Sequence, residues 1–463
     1  MKILFVASEC APLAKVGGLA DVVGVLPKIL ENLGVDVRVC LPKYQTIDLN
    51  KHKFELIAKN LITKTEKVNI YQGFLPESQV IVHLLENKKY LSQNGIYFDE
   101  IQRFLFFSQV ILEIFPAINW FPDIIHCHDW HAAIIPLLLK SENYNLAPKT
   151  LLTIHNLAQQ GKWNAKEVMD LLSLKKEKIR SSEIKNAAED FNSLQQGILH
   201  ADLINTVSPT YAREFLTQEY GEGLESYLLK RKKEVSGILN GIDEKKFNPE
   251  TDTNLKFNYS FQNLERKIEN KIHLQEKLNL TKNHQIPLLG FIGRLDHQKG
   301  LDLMIEITPD LIKNNSQLVI LGKGNPDYEK KLLKLSQKYP QNISSQIKFD
   351  SVLAQKIFAG ADILLIPSRF EPCGLVQMIA MRYGTIPVAR KTGGLADTIE
   401  TGKTGFLFEE YNAESFLESV EKALNLYRSR EAWLKLMKKA MEKDFSWGKS
   451  ALEYHQLYRR LLQ

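Results

Sequence analysis

The sequence has few cysteines and no long apolar run. Its four cysteines (Cys10, Cys40, Cys127 and Cys373) lie far apart and form no CxxC pair, which favours a reducing compartment. The opening segment MKILFVASE reaches Glu9 without the apolar core and small-residue cleavage site of a signal peptide. Because no apolar stretch approaches the roughly 20 residues that cross a bilayer, we expect a soluble cytoplasmic protein with no membrane partner.

Signatures of several common enzyme classes are also missing. The chain contains no GxSxG, no Walker phosphate loop and no HExxH, which speaks against α/β-hydrolases, P-loop nucleotidases and zinc proteases of those types. The formal net charge is only +6 over 463 residues. Since the lysines are dispersed rather than gathered in one stripe, we expect no nucleic-acid partner.

What the sequence does contain is a regular alternation of short apolar runs with longer helical patterns. A chain of 463 residues exceeds what one hydrophobic core usually serves. Strand–helix alternation of this kind is typical of parallel sheets covered by helices, so the fold class predicted is α/β with two doubly wound sheets. The runs predict buried strands at residues 2–7, 36–41, 123–127, 150–154, 203–207, 287–292, 317–321, 346–349, 362–366 and 386–388.

The boundary between the two halves is predicted near residues 237–260. The segment GILNGID (237–243) closes the first half, and a polar stretch, NPETDTNLKFNYS, separates it from the next helical pattern. We therefore predict domains at residues 1–243 and 244–445. Residues 446–463 form a last helical pattern with one apolar face, on Tyr454, Leu457, Tyr458 and Leu461.

One internal repeat links the two halves. Residues 15–23 (KVGGLADVV) and 391–399 (KTGGLADTI) share six of nine positions, and each precedes a helical pattern. Paired glycines at a helix start let the backbone approach a ligand, and the exposed N–H groups there favour an anion. The alternative is two ordinary glycine-rich turns. If both loops face one cleft, they would contact a bound ligand from two sides.

Two clusters in the second half follow predicted strands. The first, GRLDHQKG (293–300), places Arg294 and Lys299 where ligands bind in doubly wound sheets, and both cations can neutralise a diphosphate. The alternative interpretation is that Arg294 and Lys299 belong to an ordinary solvated surface and bind no ligand. The second, RFEPCGL (369–375), contains Glu371, which could accept hydrogen bonds from sugar hydroxyls or merely complement a helix dipole.

Two clusters in the first half also stand at predicted strand ends. HCHDWH (126–131) suggests a metal site, but its spacing is not that of a zinc site, and a sugar-contacting carboxylate among packed imidazoles is favoured. TIHNL (153–157) contains His155, which could bond a sugar hydroxyl or be a satisfied core residue. We predict no metal site.

These motifs together resemble the bacterial glycogen synthases and plant starch synthases, over essentially the whole chain. The resemblance rests on KVGGLADVVG, HCHDWHAA, TIHNLA, TVSPTYARE, GILNGID, GRLDHQKG, PSRFEPCGL, KTGGLADT and DFSW, in that order. It implies the GT-B fold, with two Rossmann-like domains facing an interdomain cleft and a C-terminal helix returning to the first domain. It also implies retaining transfer of glucose from ADP-glucose to the 4-hydroxyl at the non-reducing end of an α-1,4-glucan, with no cofactor and no metal.

The resemblance assigns roles residue by residue. The catalytic set it implies is Glu371, Arg294, Lys299, His155 and Asp129. Donor binding would use Lys15, Gly17, Gly18, Asn240, Arg294, Lys299, Cys373, Gly374, Leu375, Gly393 and Gly394. The acceptor side would use Asp21, Asp129 and Asn156.

Four positions depart from the family pattern. Gln355 stands where a histidine is usual, Gln159 replaces an aromatic residue, and Glu100 replaces an asparagine. Leu194-Gln195-Gln196-Gly197 stands where Lys-Gly-Gly is usual. These departures bear on acceptor preference and rate more than on donor binding, and leave open a specialised short acceptor. Because no residue reads the nucleotide base directly, a related transferase that uses UDP-glucose is a second alternative. A non-catalytic glucan-binding protein is a third.

Overall fold

The structure is a computed structural model that describes residues 1–64, 66–97, 100–141, 148–174 and 191–463, with Glu100 described by its backbone alone. The chain forms two compact units. The first comprises Met1–Gly241 together with Trp447–Gln463, and the second comprises Ile242–Ser446.

The first unit alternates strands and helices along the chain. Its strands are β1 (Lys2–Val6), β2 (Asp36–Pro42), β3 (Glu55–Ile62), β4 (Lys67–Phe74), β5 (Ile81–Glu86), β6 (Ile124–His128), β7 (Lys149–Ile154), β8 (Lys162–Trp163), β9 (Phe191–Asn192), β10 (Leu203–Thr206) and β11 (Val235–Gly237). Its helices are α1 (Gly18–Asn32), α2 (Glu100–Ile111), α3 (Asp129–Ala132), α4 (Ile135–Ser141), α5 (Ala165–Leu172), α6 (Ser193–His200), α7 (Tyr211–Glu214), α8 (Glu225–Lys230) and the C-terminal helix (Trp447–Leu462).

The main sheet of this unit is doubly wound. Its strand order is β11-β10-β7-β6-β1-β2-β5-β4-β3. Pairing is parallel from β11 to β5, whereas β4 pairs antiparallel with both β5 and β3. The strand order reverses between β1 and β6. Open α/β sheets bind ligands beyond the carboxyl ends of the strands at such a reversal.

The C-terminal helix packs on the first unit through its apolar face. Tyr454, Leu457, Tyr458 and Leu461 are buried in the same cluster as Phe5 and the apolar side of α1. The hydroxyl of Tyr458 hydrogen-bonds Nδ1 of His126 at 2.8 Å. Burial of this face explains why the apolar positions recur at helical spacing.

The second unit has one parallel sheet. Its strands are β12 (Leu288–Ile292), β13 (Gln317–Gly322), β14 (Ile343–Ile347), β15 (Ile363–Ile366), β16 (Ile386–Arg390) and β17 (Phe406–Phe408). Its helices are α9 (Lys267–Lys277), α10 (Leu301–Lys313), α11 (Pro326–Lys338), α12 (Ser351–Gly360), α13 (Val376–Arg382), α14 (Gly393–Thr398), α15 (Ala413–Tyr427) and α16 (Arg430–Met441). Short 3₁₀ turns occupy Phe261–Arg266 and His297–Lys299.

The strand order of the second unit is β14-β13-β12-β15-β16-β17, and every pairing is parallel. This is the Rossmann order, in which the first strand of each half lies at the centre. The reversal point therefore lies between β12 and β15. Both strands are apolar and buried on two faces, as the continuous Leu/Ile runs predict.

Most predicted strands coincide with observed ones, with one displaced. The strand predicted at 346–349 begins earlier, at Ile343. Its first half contains the polar residues Ser344 and Ser345, so it lacks the apolar run on which the prediction depended. Strands β3, β4, β5, β8, β9, β11 and β17 were not predicted. β3 is largely solvent-exposed and lacks an apolar run, and β8, β9, β11 and β17 are only two or three residues long. β5 was missed although it is mostly buried and apolar. No helix in the described part of the chain is long and apolar enough to span a membrane.

Candidate active site

The predicted phosphate-binding cations of the second unit lie at the reversal point of its sheet. Arg294 and Lys299 stand in the loop that leaves β12, and Glu371 stands in the loop that leaves β15. β12 and β15 are paired neighbours. The fold therefore brings together two segments that are about 70 residues apart in sequence.

Lys299 and Glu371 form an ion pair in this place. The Lys299 ammonium lies 2.6 Å from Oε2 of Glu371, whose side chain is 8% exposed. The Ser368 hydroxyl donates to the same oxygen at 3.0 Å. Oε1 of Glu371 accepts no hydrogen bond from the described residues. The pairing compensates the burial of the charge and leaves one carboxylate oxygen open to a ligand hydroxyl.

Arg294 is the exposed cation of this cluster. Its side chain is 64% exposed, and its guanidinium lies 2.9 Å from Oδ2 of Asp296. It also donates to Oε1 of Gln298 at 2.8 Å. Both partners belong to its own loop, so the guanidinium is oriented yet accessible to an anion.

A glycine allows the β12 and β15 loops to meet. Gly300 has φ +69°, and a Cβ built there would lie 1.8 Å from the carbonyl oxygen of Pro367. Any side chain at this position would push the two loops apart. The backbone N–H of Arg369 also donates to the carbonyl of Gln298 at 2.8 Å. Gly300 is thus required where a left-handed turn contacts another backbone.

The second copy of the repeat has a packing reason for its glycines. A Cβ on Gly393 would lie 2.0 Å from the carbonyl oxygen of Glu371, and one on Gly394 would lie 2.1 Å from that of Cys373. The N–H of Gly394 donates to the Glu371 carbonyl at 3.1 Å. The loop after β16 therefore packs directly on the loop that carries Glu371. This brings Glu371, Cys373, Gly374, Leu375, Gly393 and Gly394 into one group.

Sequence reasoning missed a second layer of residues beside this group. Arg369 donates to Oδ2 of Asp302 at 2.6 Å, and the Tyr411 hydroxyl donates to Oδ1 of the same carboxylate at 2.7 Å. The guanidinium carbon of Arg369 lies 4.1 Å from the centre of the Tyr411 ring. These contacts hold the backbone next to Glu371. Asp302 lies just after GRLDHQKG (293–300) and Tyr411 comes from a later segment, and neither residue belongs to a motif.

In the first unit, the glycine loop before α1 is held by a carboxylate that the sequence analysis did not select. Oε2 of Glu9 accepts the backbone N–H groups of Val16 and Gly17 at 2.6 and 2.7 Å. Tyr97 donates its hydroxyl to the other oxygen of Glu9. Glu9 follows β1, at the reversal point of this sheet, and that position was the signal available in the sequence.

Lys15 and Asp21 are ion-paired to each other at 2.5 Å, with side chains 36% and 29% exposed. Gly17 and Gly18 lie between them and begin α1. A Cβ on Gly17 would meet only Oε1 of Glu9, at 3.6 Å, so internal packing does not demand a glycine there. The two copies of the repeat therefore differ: packing requires glycine in the second copy and leaves room at Gly17.

Asp129 and His155 are brought together at the carboxyl ends of β6 and β7. Oδ1 of Asp129 accepts the backbone N–H of His155 at 2.6 Å. Burial raises the pKa of Asp129 to about 7, an effect opposed by hydrogen bonds from the backbone of His155 and Asn156. Burial lowers the pKa of His155 to about 3, so its imidazole is neutral at pH 7. Asp129 also has a positive φ of 54°.

The other histidines of the HCHDWH motif are packed imidazoles. His126 bonds Tyr458 and Thr153, and Nδ1 of His128 lies 3.0 Å from Nε2 of His155. Burial lowers the pKa of His131 to about 3. The described residues contain no group of three or more His, Cys, Asp or Glu side chains that could hold a metal ion. His126, His128 and His131 are buried, and burial lowers the pKa of each imidazole below its usual value.

Two further predicted residues lie at loop positions of the first unit. Asn240 follows β11 and is buried, with its side-chain oxygen unpaired among the described residues. Asn156 follows His155, and its side-chain oxygen accepts the N–H of Ala158 at 3.1 Å. An unpaired buried amide oxygen is a feature that a ligand hydroxyl or amine would satisfy.

The departures from the family pattern have different surroundings. Gln355 is buried in α12 of the second unit, where its Oε1 accepts from Asn254 at 2.7 Å. Gln159 is exposed, and Gln195 lies half-buried in the first turn of α6. The side chain of Glu100 lies outside the described residues.

The two halves of the chain match family models of glycosyltransferases. Residues 2–230 match the model of the starch synthase catalytic domain, and residues 274–440 match that of glycosyl transferases group 1. Together with two Rossmann-type sheets, these matches define the class: the protein is a glycosyltransferase of the GT-B fold.

Full-length relatives narrow this class. The chain is 43% identical to a glycogen synthase of Thermotoga petrophila, over 100% of this chain and 99% of the relative. It is 44% identical to a glycogen synthase of Desulforudis audaxviator, over 100% of this chain and 97% of the relative. The chain belongs to the glycogen synthase and starch synthase family.

Solved structures agree with this placement. The catalytic domain of starch synthase IV from Arabidopsis thaliana, bound to ADP and acarbose, superposes with a TM-score of 0.91 at 35% identity, covering 100% of this chain and 99% of that one. A sucrose-phosphate synthase from Thermosynechococcus elongatus, at 19% identity and a TM-score of 0.64 over 99% of this chain and 98% of that one, shares the fold.

Proposed function

We propose that this protein transfers glucose from ADP-glucose to the 4-hydroxyl at the non-reducing end of an α-1,4-glucan, with retention of the α configuration. The observation that carries the proposal is the Lys299–Glu371 pair beside the exposed Arg294, at the reversal point of the second sheet. Support for the substrate class comes from the full-length glycogen synthase relatives and from the starch synthase that was solved with ADP and acarbose.

In this proposal, the second unit binds the donor. Arg294 and Lys299 neutralise the diphosphate as the bond from the glucose C1 to the phosphate oxygen breaks, because charge grows on that oxygen in the transition state. The open Oε1 of Glu371 accepts a hydrogen bond from a glucose hydroxyl. Backbone N–H groups near Gly374, Leu375, Gly393 and Gly394 assist with sugar and phosphate.

The residues proposed for the first unit serve the acceptor and sugar hydroxyls. His155, whose ring is neutral, bonds a glucose hydroxyl, and Asn240 offers its unpaired side-chain oxygen. Lys15 and Gly18 assist with the diphosphate, and Asp129 serves the acceptor. The acceptor oxygen attacks C1 on the face that the diphosphate leaves, and the departing phosphate oxygen takes the acceptor proton.

The test is elongation of maltoheptaose with ADP-glucose as the sole donor. We expect products longer by whole glucose units, each addition releasing one ADP, with every new linkage α-1,4 by proton NMR. New β linkages would contradict the retaining mechanism. Release of ADP without elongation would show hydrolysis instead of transfer. The Glu371→Gln variant should lose elongation while remaining folded, because its amide has a similar shape and lacks the charge that pairs with Lys299.

A further inference from the structure

A second pocket lies in the same unit at the opposite edge of its sheet. Its volume is about 590 Å³, within the range of small-molecule sites. It is bordered by Pro287, which precedes β12, and by Asp362, which precedes β15. The proposed donor site follows these same strands. The pocket is therefore separate from the donor site by the full length of the strands, and no motif from the sequence analysis contributes to it.

The floor of this pocket is fully paired. The Lys271 ammonium lies 2.6 Å from Asp362 and donates to the Tyr427 hydroxyl at 2.7 Å. The Lys267 ammonium donates to the carbonyls of Phe358 and Ala359 and to the Thr385 hydroxyl. These groups hold the pocket in shape and offer little unused charge to a ligand.

The mouth of the pocket carries unpaired positive charge. Arg428 and Arg430 are exposed and line the pocket, and their guanidinium groups have no carboxylate or other hydrogen-bond partner within the described residues. Among the described residues that line the pocket, the acidic ones are Asp362 on the floor and Glu265, and no ion pair joins Glu265 to either arginine. Arg430 also begins α16, a helix of 12 residues whose N-cap, Ser429, makes no side-chain cap. Guanidinium groups and the N–H groups of a helix start both favour a phosphate.

An aromatic wall carries a second, independent feature. Trp433 is 5% exposed and lines the pocket, yet its indole N–H donates to no protein acceptor within the described residues. Its ring packs edge-on against Tyr427, with ring centres 5.3 Å apart. This nitrogen is not one of the fully enclosed unpaired polar atoms of the described residues, so it stays accessible and can donate to a ligand acceptor. The neighbouring Leu434 and Met437 supply apolar contact for a ring.

We propose that this pocket binds a small phosphorylated organic molecule. The phosphate lies between the guanidinium groups of Arg428 and Arg430 at the start of α16. The organic ring packs against Trp433, and a ring substituent or phosphate oxygen accepts its indole N–H. This is a binding site in addition to the donor site and independent of the glucosyl transfer.

Calorimetric titration with phenyl phosphate tests the site. The protein carries Arg294→Ala, Lys299→Met and Glu371→Gln, so that the donor cations cannot bind the probe and no buried Glu371 carboxylate is left unpaired. We expect saturable binding in this background. Adding Arg428→Ala and Arg430→Ala should weaken it by about tenfold or more, because the loss removes both charge-assisted contacts. Adding Trp433→Phe should weaken it less while keeping the ring wall.

The control is Arg266→Ala, which removes an exposed arginine of the same unit that pairs with Glu269 and does not line the pocket. It should leave phenyl phosphate binding unchanged. Phenylacetate serves as the carboxylate analogue and should bind more weakly. Absence of binding in the starting background, equal loss with Arg266→Ala, or equal binding of phenylacetate would overturn the proposal.

Discussion

Replacement of Arg294 by alanine separates a catalytic role from a structural one. The side chain is 64% exposed, and its partners are Asp296 at 2.9 Å and Gln298 at 2.8 Å. An exposed pair of this kind contributes about 0.2–1 kcal/mol to stability. The free energy of unfolding should therefore change by less than about 1 kcal/mol.

The effect on catalysis should be far larger. Loss of one group that stabilises developing charge costs about 2.7–4 kcal/mol, or roughly 10²–10³ in kcat. The assay is ADP release from ADP-glucose in the presence of maltoheptaose, with urea unfolding measured on the same preparation. Lys313→Ala is the matched control, since Lys313 is a 77% exposed cation on α10 paired with Asp310. Activity within about threefold of the wild type would refute the role given to Arg294.

Three further predictions concern the site and its scaffold. Lys299→Met should lower the free energy of unfolding, because it leaves the 8% exposed Glu371 carboxylate without its ion-pair partner, and adding Glu371→Gln should restore part of that free energy. If the effects of the two substitutions on urea unfolding are simply additive, the two side chains are not coupled. Gly300→Ala should lower the yield of folded protein and its melting temperature, because its Cβ would meet the Pro367 carbonyl at 1.8 Å, whereas Gly17→Ala, with its nearest contact at 3.6 Å, should fold normally; equal melting temperatures would count against this account. Burial raises the pKa of Asp129 from 3.8 to about 7 in the folded protein, so the folded state binds the Asp129 proton more tightly than the unfolded state. The contribution of Asp129 to stability therefore falls as pH rises from about 4 to 7 and is constant above pH 7. The melting temperature of Asp129→Asn relative to the wild type should rise over that interval, and a constant difference would refute the pKa shift.

The sheets were largely predictable because their strands are buried on both faces. Strands such as β12 (LLGFI) and β15 (ILLI) consist of a continuous apolar run, which is recognisable in the sequence without knowledge of the structure. The β3–β4 pair was missed because alternation at a solvent-exposed edge leaves no apolar run. Strand order then follows from the doubly wound rule, which places the loops after β12 and β15 side by side.

The site was predictable where it carries a local motif. Arg294, Lys299 and Glu371 come from compact motifs directly after strands, so their meeting followed from topology. Glu9 and Asp302 were missed because each acts through partners distant in sequence, such as Tyr97 for Glu9 and Tyr411 for Asp302. Contacts of this kind depend on tertiary packing that a linear pattern does not record.

The reasons for the glycines also needed the structure. The repeat suggested one shared role for both Gly-Gly pairs. In the second copy, Gly393 and Gly394 are required by the backbone of the loop from Glu371 to Cys373. In the first copy, a Cβ on Gly17 would make only an ordinary contact with Oε1 of Glu9 at 3.6 Å, and Glu9 accepts the Gly17 N–H. The same Gly-Gly pair is therefore explained by backbone packing in the second copy and not in the first.

The most direct test of the account is incorporation of labelled glucose into glycogen from ADP-glucose and, in parallel, from UDP-glucose. The account predicts preferential incorporation from ADP-glucose, lost in the Glu371→Gln variant. Incorporation from UDP-glucose alone would contradict the donor while keeping the transferase chemistry. No incorporation from either donor, by folded protein offered both glycogen and maltoheptaose, would contradict the central claim and leave glucan binding without catalysis as the remaining function.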